Sequence, residues 1–364
     1  MRFPEFSGEW EKFRNDSLFN VVSEKNKGKQ ITSVLSASQT DGMVSRDSLG
    51  IDIKFEEDSI KNYKIVREGD YVIHLRSFQG GFAFSDRVGV CSPAYTILRP
   101  TQQISYGFLK PFFMSNKFID SLRLVTYGIR DGKSISVEEW LKLSTSLPSV
   151  EEQKKISAFL SLLDERIATQ IKIIEKLESL IKGLCLKLFV NTKYDSFVSL
   201  GNIAHISNGN SDVKDASMVN DGRMYPFFDR SDEIKYLPEY LFDKEAIIYP
   251  GEGAEFYPRY YNGKFALHQR CYAIYDISSD FIPRYLYHYC KTQNSYFVRN
   301  AVGSTVASLR LDTFKRLRVP ALPIHTQESL VQLLDKIEGQ LESNKALLKK
   351  YEEQKKYLLS NLFI

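Results

Sequence analysis

Arginine, glutamine and aromatic residues share several glycine-containing segments of the chain, and this combination suits the reading of DNA bases. Arginine binds guanine bidentately in the major groove, and asparagine or glutamine binds adenine in the same way. Lysine and backbone amides mainly hold phosphate. For any single candidate, an exposed and solvated side chain is an equally good interpretation. The candidates are Arg76, Ser77, Gln79, Arg87, Arg130 and Lys133 in the first half, and Tyr257, Arg259, Tyr260, Asn262, Lys264, Gln269, Arg270, Ser304, Thr305 and Arg310 in the second.

The sequence does not match the common catalytic motifs. Gly128–Ser134 resembles a phosphate-binding loop, but three residues separate its glycines where the motif needs four. The sequence has no Asp/Asn-Pro-Pro-aromatic segment, no HExxH motif, and five dispersed histidines. Glu233–Lys235 matches the end of a nuclease motif, but such a tripeptide is common by chance. We therefore predict no catalytic residue, no metal and no cofactor in this chain.

Composition is that of an ordinary soluble chain. The 364 residues are 43% hydrophobic and 26% charged, which predicts two or three globular domains. The net charge of +4 permits nucleic acid as a partner without requiring it. The four cysteines form no CxxC pair, which argues against a structural zinc site. Neither a secretory signal nor a membrane span is evident, so we expect a cytoplasmic protein.

Two stretches of the sequence are copies of one another. Gln153–Phe189 aligns without gaps over Gln327–Phe363, and both stretches follow a Leu-Pro pair and end in Leu-Phe. Their apolar residues alternate steps of four and three for more than four heptads, which is typical of a coiled-coil seam. The predicted seam is Ile156, Leu160, Leu163, Ile167, Gln170, Ile174, Leu177, Ile181, Leu184 and Leu188 in the first copy, and Leu330, Leu334, Ile337, Leu341, Asn344, Leu348, Tyr351, Leu358 and Leu362 in the second.

Polar residues interrupt the seam at matching places. Gln170 and Asn344 occupy the same position of the two copies, near the middle of each. Polar seam residues lower stability but fix register and orientation. Lys355 breaks the second copy near its end, where its alkyl stem can lie along the seam while the ammonium group reaches water.

A larger and weaker repeat lies upstream of each long helix. The segments Gly69–His74 and Ala94–Leu98 predict strands in the first half, and Lys244–Tyr249 and Cys271–Tyr275 occupy equivalent places in the second. An aromatic helix-like stretch and a glycine-containing polar loop follow in both halves. Short strands bounded by Gly, Pro, Asn and Ser predict α+β globules with mainly antiparallel sheets.

This repeat predicts a fold of two pseudo-symmetric mixed α/β globules, 1–147 and 191–321, separated by long helices at 148–190 and 322–364. Two copies of one unit usually pack about a two-fold axis, which makes the helices an antiparallel coiled coil. A helix of this length measures about 55 Å, or roughly 16 base pairs of B-DNA. We therefore predict that the helices hold the two globules at a fixed separation. The globules would then read two different short sequences on either side of an unread spacer.

The opening Arg2–Phe6 with Gly8–Trp10, the two Leu-Pro…Gln helix starts and the two Leu-Phe endings resemble the specificity subunit of type I restriction–modification enzymes. The resemblance covers essentially the whole chain. One departure is His325-Thr326, because the family usually has an acidic residue before the glutamine, as Glu152 precedes Gln153.

The resemblance implies a non-catalytic subunit whose two target recognition domains read a bipartite, asymmetric site in double-stranded DNA. The helices would dock two modification subunits, which methylate adenine N6 with S-adenosylmethionine. Restriction subunits, where present, would add translocation and cleavage that use ATP and Mg²⁺. It also implies a prokaryotic, nucleoid-associated protein with no membrane partner. Two alternatives stay open: a coiled-coil scaffold that binds only protein, and a nuclease or methyltransferase in its own right.

Overall fold

The structure, a computed structural model, describes residues 2–28, 30–38, 41–46, 57–74, 81–127 and 134–363. The chain divides into two compact units. The first unit comprises Met1–Gln170 with Leu347–Ile364, and the second comprises Ile171–Ala346. Each unit therefore combines one globule with parts of both long helices. No described helix is long and apolar enough to cross a membrane.

The globule of the first unit is built on short antiparallel strands. Four of them form one sheet in the order β2–β9–β6–β7, and β1 pairs with β12 so that the two ends of the globule meet. Its elements are β1 (Glu11–Arg14), α1 (Asn15–Leu18), β2 (Phe19–Val22), β3 (Leu35–Ser38), β4 (Gly42–Ser45), β5 (Lys64–Val66), β6 (Tyr71–Ile73), β7 (Phe82–Phe84), β8 (Gly89–Cys91), β9 (Thr96–Pro100), α2 (Leu109–Phe113), α3 (Asn116–Ser121), β10 (Thr126–Tyr127), β11 (Ser134–Ile135), α4 (Val137–Lys142) and β12 (Ser144–Leu147).

Aromatic side chains fill the core between this sheet and its helices. Phe113 lies 4.9 Å from Phe82 and 5.2 Å from Tyr71, measured between ring centroids. Trp140 is fully buried and lies 5.0 Å from Phe82. The high aromatic content of the sequence is thus used here for packing, because large rings bury much apolar surface.

The globule of the second unit has a larger sheet. Six strands follow the order β14–β19–β17–β18–β15–β16, and β13 pairs with β20 as β1 does with β12. Its elements are β13 (Phe197–Ser199), α6 (Leu200–Ile203), β14 (His205–Asn208), β15 (Tyr225–Phe228), β16 (Lys235–Leu237), β17 (Phe242–Pro250), β18 (Arg259–Leu267), β19 (Cys271–Tyr275), α7 (Pro283–Lys291), α8 (Asn294–Asn300), α9 (Leu311–Lys315) and β20 (Arg318–Pro320). The long helices are α5 (Val150–Cys185) and α10 (Ile324–Leu362).

The predicted repeat of the two globules is confirmed. The order β2–β9–β6 of the first unit recurs as β14–β19–β17 in the second, and the helix pair α2–α3 recurs as α7–α8. One detail departs from the antiparallel expectation, since β15 pairs in parallel with β18 through Phe227↔Ala266. That pair adds β15 and β16 to the sheet and accounts for its greater width.

The long helices run antiparallel to one another within each unit. In the first unit, Leu358 and Leu362 of α10 share a core with Ile156 and Leu160 near the start of α5. The Lys355 Nζ lies 2.6 Å from the Asp164 Oδ1, so the charge that breaks the seam is paired at its edge. All predicted seam positions of both helices are buried or half-buried, while most positions between them are exposed.

In the second unit the pairing continues in the same sense. The Lys345 Nζ of α10 lies 3.0 Å from the Glu178 Oε1 of α5. Residues later in α5 therefore face residues earlier in α10, as antiparallel packing requires. The α5 helix ends in a π-helical segment, Leu186–Val190, that leads into the second globule.

A buried glutamine fastens the start of α5 to the first globule. The Gln153 Oε1 accepts a hydrogen bond from the Ser105 N–H at 2.8 Å. Its Nε2 donates to the Gln103 carbonyl at 2.9 Å and to the Pro148 carbonyl at 3.0 Å. One side chain thus satisfies three buried or partly buried backbone groups, which explains why both copies of the sequence have a glutamine here.

The start of α10 is fastened in the same way. The Gln327 Oε1 accepts from the Ile282 N–H at 2.9 Å, and its Nε2 donates to the Asp280 and Leu322 carbonyls at 2.9 and 2.8 Å. The three partners match those of Gln153 in kind: one N–H before a helix, the carbonyl two residues earlier, and the carbonyl five residues before the glutamine. The Leu-Pro…Gln repeat in the sequence therefore corresponds to the same set of three hydrogen bonds at the start of each long helix.

The Leu-Phe endings also have a common explanation. Phe363, just after α10, packs in the first unit against Phe108 and Phe112, with ring centroids 5.7 and 5.5 Å away. Phe189, at the end of the first helical copy, packs in the second unit against Tyr285 and Tyr289 at 5.9 and 5.8 Å. Each unit thus holds one helix by its first turns and the other by its last residues.

Candidate nucleic-acid interface

Most predicted DNA-reading residues of the first unit lie outside the described residues. This applies to Arg76, Ser77, Gln79, Arg130 and Lys133.

Arg87 is described and lies exposed in the turn between β7 and β8. Its Nε donates to the Asp86 Oδ1 at 2.7 Å, and this hydrogen bond lowers the pKa of the Asp86 carboxyl. The pair uses the Arg87 Nε and Nη2, so part of the guanidinium stays available to a ligand.

In the second unit, three loops that are distant in sequence come together. They are 251–258 between β17 and β18, 268–270 between β18 and β19, and 302–310 before α9. The Gly253 N–H donates to the Ala307 carbonyl at 3.1 Å, and the Leu309 N–H donates to the Gly251 carbonyl at 2.8 Å.

Six predicted residues lie on these loops, and all are exposed: Tyr257, Gln269, Arg270, Ser304, Thr305 and Arg310. Arg270 is tied across two of the loops, because its Nη1 lies 2.6 Å from the Glu252 Oε1. The structure therefore gathers side chains that the sequence offers only as separate candidates.

Four other predicted residues do not join this group: Arg259, Tyr260, Asn262 and Lys264. Asn262 and Lys264 lie farther along β18, opposite Glu245 and Asp243 of β17, and the Lys264 ammonium lies 4.8 Å from the centroid of the Tyr240 ring.

Tyr260 is half-buried against α7. Its ring lies 5.5 Å from Tyr287, the Arg284 guanidinium lies 4.6 Å from it, and its hydroxyl donates to Glu245. These contacts direct Tyr260 into the protein rather than toward a ligand.

A polar cavity of about 500 Å³ opens beside two of the three loops. Gln269 and Arg270 line it, but most of its wall comes from residues that the sequence analysis did not select. The wall is formed by Asp212, Val213, Asp229, Arg230, Ser231, Lys235, Gly251, Glu252, His268, Gln269, Arg270 and Cys271. We refer to it below as the second-unit cavity.

The turn that follows β15 forms one side of this cavity. Asp229 is buried, and its Oδ1 accepts from the Ser231 N–H at 2.8 Å and from the Ser231 hydroxyl at 2.6 Å. The Lys235 ammonium also donates to Asp229. Burial alone would raise the pKa of the Asp229 carboxyl, but the hydrogen bonds from Lys235 and Ser231 outweigh it and lower the pKa. The turn therefore carries a fixed negative charge at its base.

Arg259 is hydrogen-bonded to the same turn. Its side chain is 24% exposed, and the guanidinium donates to the Ser231 carbonyl while lying 3.5 Å from Asp232 and 6.0 Å from the centroid of the Phe228 ring. The sequence did not indicate the contact between Arg259 and Ser231, because the two residues are 28 positions apart.

Each unit also contains a groove where its globule meets the two long helices. The groove of the first unit has a volume of about 520 Å³ and that of the second about 890 Å³. Both mix apolar surface with charged residues of α5 and α10. The first is lined among others by Tyr106, Lys110, Met114, Leu160, Asp164 and Lys355, and the second by Tyr257, Tyr287, Lys291, Glu178, Leu341 and Lys345.

One group of side chains has ligand types suited to a metal ion. His288 of α7 and Asp335 and Glu338 of α10 bring their donor atoms within 4.8 Å of one another. However, the Arg284 Nη2 lies 2.5 Å from the Asp335 Oδ1, and the Lys291 Nζ lies 2.6 Å from the Glu338 Oε1. Two cations already balance the two carboxylates, so the cluster serves as an ionic anchor between α7 and α10.

The comparisons with known proteins agree with this architecture. The family model described as the type I restriction modification DNA specificity domain matches residues 7–179 and 193–353. The chain belongs to this family. The two matched segments each contain one globule and most of the helix that follows it, so the specificity domain occurs twice.

Individual relatives of the specificity-domain family are distant. The chain is 32% identical over 152 residues to the specificity subunit of the type I restriction enzyme EcoDI of Escherichia coli. That alignment covers 42% of this chain and about a third, 33%, of that protein.

Solved structures of the family share the fold. The S subunit from M. genitalium matches with a TM-score of 0.66 at 15% identity, over 100% of this chain and 99% of that one. The HsdS subunit from Thermoanaerobacter tengcongensis matches with a TM-score of 0.52 at 14% identity, over 100% and 98%.

Proposed function

We propose that this chain is the sequence-specific DNA-binding subunit of a type I restriction–modification enzyme. Each unit reads one half of a bipartite, asymmetric site in double-stranded DNA. The observation that carries this proposal is the repetition: the same family domain occurs twice, and both copies hold their helices by the same hydrogen bonds while their sheets and loops differ. Identical frameworks with unlike loops suit two different half-sites.

The long helices set the length of the unread spacer between the half-sites. The 36 residues of α5 make a helix about 54 Å long, which corresponds to roughly 16 base pairs of B-DNA. The seam positions of both helices are buried or half-buried within their units, which supports a spacer of fixed length.

Two modification subunits dock on this chain, one at each groove between a globule and the helices. The grooves are related by the same repeat as the globules, which supports two equivalent docking events on one chain. Restriction subunits join the same assembly. The chemistry belongs to those partners, which use S-adenosylmethionine, ATP and Mg²⁺, and this chain contributes no catalytic residue and no cofactor site. The assembly acts in the cytoplasm on nucleoid DNA.

Mapping methylated adenines in the host genome, with and without the gene for this chain, tests the proposal. We expect a single bipartite, non-palindromic motif that disappears with the gene and returns with its re-expression. DNA binding by the complex should weaken steeply as salt rises, because cationic side chains release counterions from phosphate. A chain that binds modification subunits but leaves the methylation map unchanged would be a protein scaffold, and methylation or cleavage by the purified chain alone would make it an enzyme.

A further inference from the structure

Arg230 is the side chain of the second-unit cavity that is best placed to meet a ligand. It is exposed, it lies in the turn between β15 and β16, and it lines the cavity. Among the residues that the structure describes, it has no ion-pair or hydrogen-bond partner, whereas Lys235 and Arg270 on the same wall are paired with Asp229 and Glu252. We infer that Arg230 reads a guanine in the half-site bound by the second unit, an assignment that rests on the proposed function.

The turn that carries Arg230 is fixed before any DNA arrives. Residues on both sides of Arg230 are held, because Asp229 accepts two hydrogen bonds from Ser231 and a third from Lys235. Arg259 adds a contact from below through the Ser231 carbonyl. The backbone that carries Arg230 is therefore ordered before binding, which reduces the conformational entropy lost when the complex forms. Arg259 is accordingly a positioning residue, which acts on DNA through the turn.

The wall of the cavity fits base edges better than phosphate. Three acidic residues, Asp212, Asp229 and Glu252, share it with the cations, which makes it a poor general site for an anion. Base edges in the major groove offer both donors and acceptors, and a mixed wall can meet both. Gln269 adds an amide that can pair with a neighbouring adenine. Arg230 supplies the two parallel N–H donors that guanine O6 and N7 accept.

Binding of the assembled complex to defined duplexes tests this assignment. The site is first taken from the methylation map of the wild-type chain. Each guanine of the site is then replaced in turn by 7-deazaguanine, which lacks the N7 acceptor. The chains compared are wild type, Arg230→Ala, Arg230→Lys and, as a matched control, Arg223→Ala. Arg223 belongs to the same unit, but its side chain is 88% exposed, it does not line the cavity, and it lies 3.5 Å from Asp221.

We expect Arg230→Ala to weaken binding to the intact site by about 10- to 100-fold. One 7-deazaguanine, in one half-site only, should weaken wild-type binding but have little further effect on Arg230→Ala. Arg230→Lys should lose the same discrimination while it keeps the salt dependence, because lysine retains the charge without the fork of donors. Arg223→Ala should match the wild type.

Three results would overturn the assignment. They are unchanged binding by Arg230→Ala, an equal loss on every duplex with a shallower salt dependence, and full binding by Arg230→Lys with no discrimination among the duplexes. The second and third results would indicate a phosphate contact instead. A wild-type complex that yields no bipartite motif, or binds all duplexes alike, is a different outcome, since it contradicts the proposed function itself. Thermal unfolding of each variant establishes that the fold is intact.

Discussion

The two units hold the long helices alike but present different surfaces. Gln153 and Gln327 make matching sets of three hydrogen bonds, and Phe363 and Phe189 pack on aromatic helices in both units. The sheets, by contrast, have four and six strands, and a hairpin of two nine-residue strands occurs only in the second among the described residues. A few buried contacts thus fix the framework, which leaves the sheet and loops free to change with the sequence to be read.

The ion pairs that anchor each long helix to its own globule also differ between the two units. At the start of α5, Arg2 donates to the buried Glu152 at 2.8 and 2.6 Å. The equivalent position before Gln327 is Thr326, and the ion pairs that join α10 to α7 of its own globule lie farther along the helix, at Asp335 and Glu338. Where the acidic residue is missing, at His325-Thr326, other ion pairs hold the helix to its globule. The hydrogen bonds of the glutamine are the same in both units.

The largest effect should follow from removing the shared glutamines. Gln153→Ala or Gln327→Ala removes three hydrogen bonds to buried or partly buried backbone groups, which should cost about 3 kcal/mol in the free energy of unfolding. The loss should fall on the unit that contains the residue, as measured by native-state hydrogen exchange along a urea series. Gln332→Ala, an exposed position of α10, is the control and should change little. A large loss for only one of the two glutamines would break the equivalence of the units.

The aromatic residues after the helix ends should give the next largest effect. Phe189→Ala and Phe363→Ala each remove a buried ring, and we expect losses near the lower end of about 3–5 kcal/mol because the helix end can partly close the cavity. Urea unfolding followed by hydrogen exchange should place the first loss in the second unit and the second loss in the first unit. The reverse assignment would contradict the packing described above.

A smaller effect should distinguish the units by pH. Burial lowers the pKa of His288, although Glu338 and Asp335 act in the opposite direction. The folded second unit therefore takes up this proton less readily than the unfolded chain, whose histidine titrates near 6.5. The stabilisation is complete above about pH 6.5 and is lost as the pH falls from there through the lower folded pKa.

Hydrogen exchange between pH 7.5 and pH 5 measures this difference. One proton limits the slope to about 1.4 kcal/mol per pH unit. His288→Gln should abolish the slope in the second unit, and any slope in the first unit, which contains His74, should not change with this substitution. A slope in the second unit that survives His288→Gln would rule out His288 as its source.

Local patterns in the sequence predicted the framework but not the reading surface. The 3.5-residue period marks the seam, and the Leu-Pro…Gln and Leu-Phe repeats mark the ends of both helices, because these signals lie within one segment. The parallel pairing of β15 with β18 and the support of Ser231 by Arg259 join residues that are far apart in the chain. The side-chain contacts of Arg259 and the exposure of Arg230 likewise depend on the folded chain and cannot be judged from residue type.

The length of the helices tests the central claim most directly. Seven residues in the seam pattern are inserted into α5 after Gln170 and into α10 after Ala346, which preserves the antiparallel pairing and adds about 10 Å. The methylation map should then show both half-sites unchanged and the spacer about three base pairs longer. An unchanged spacer in a complex that still folds and methylates DNA would contradict the claim that the length of these helices sets the length of the spacer.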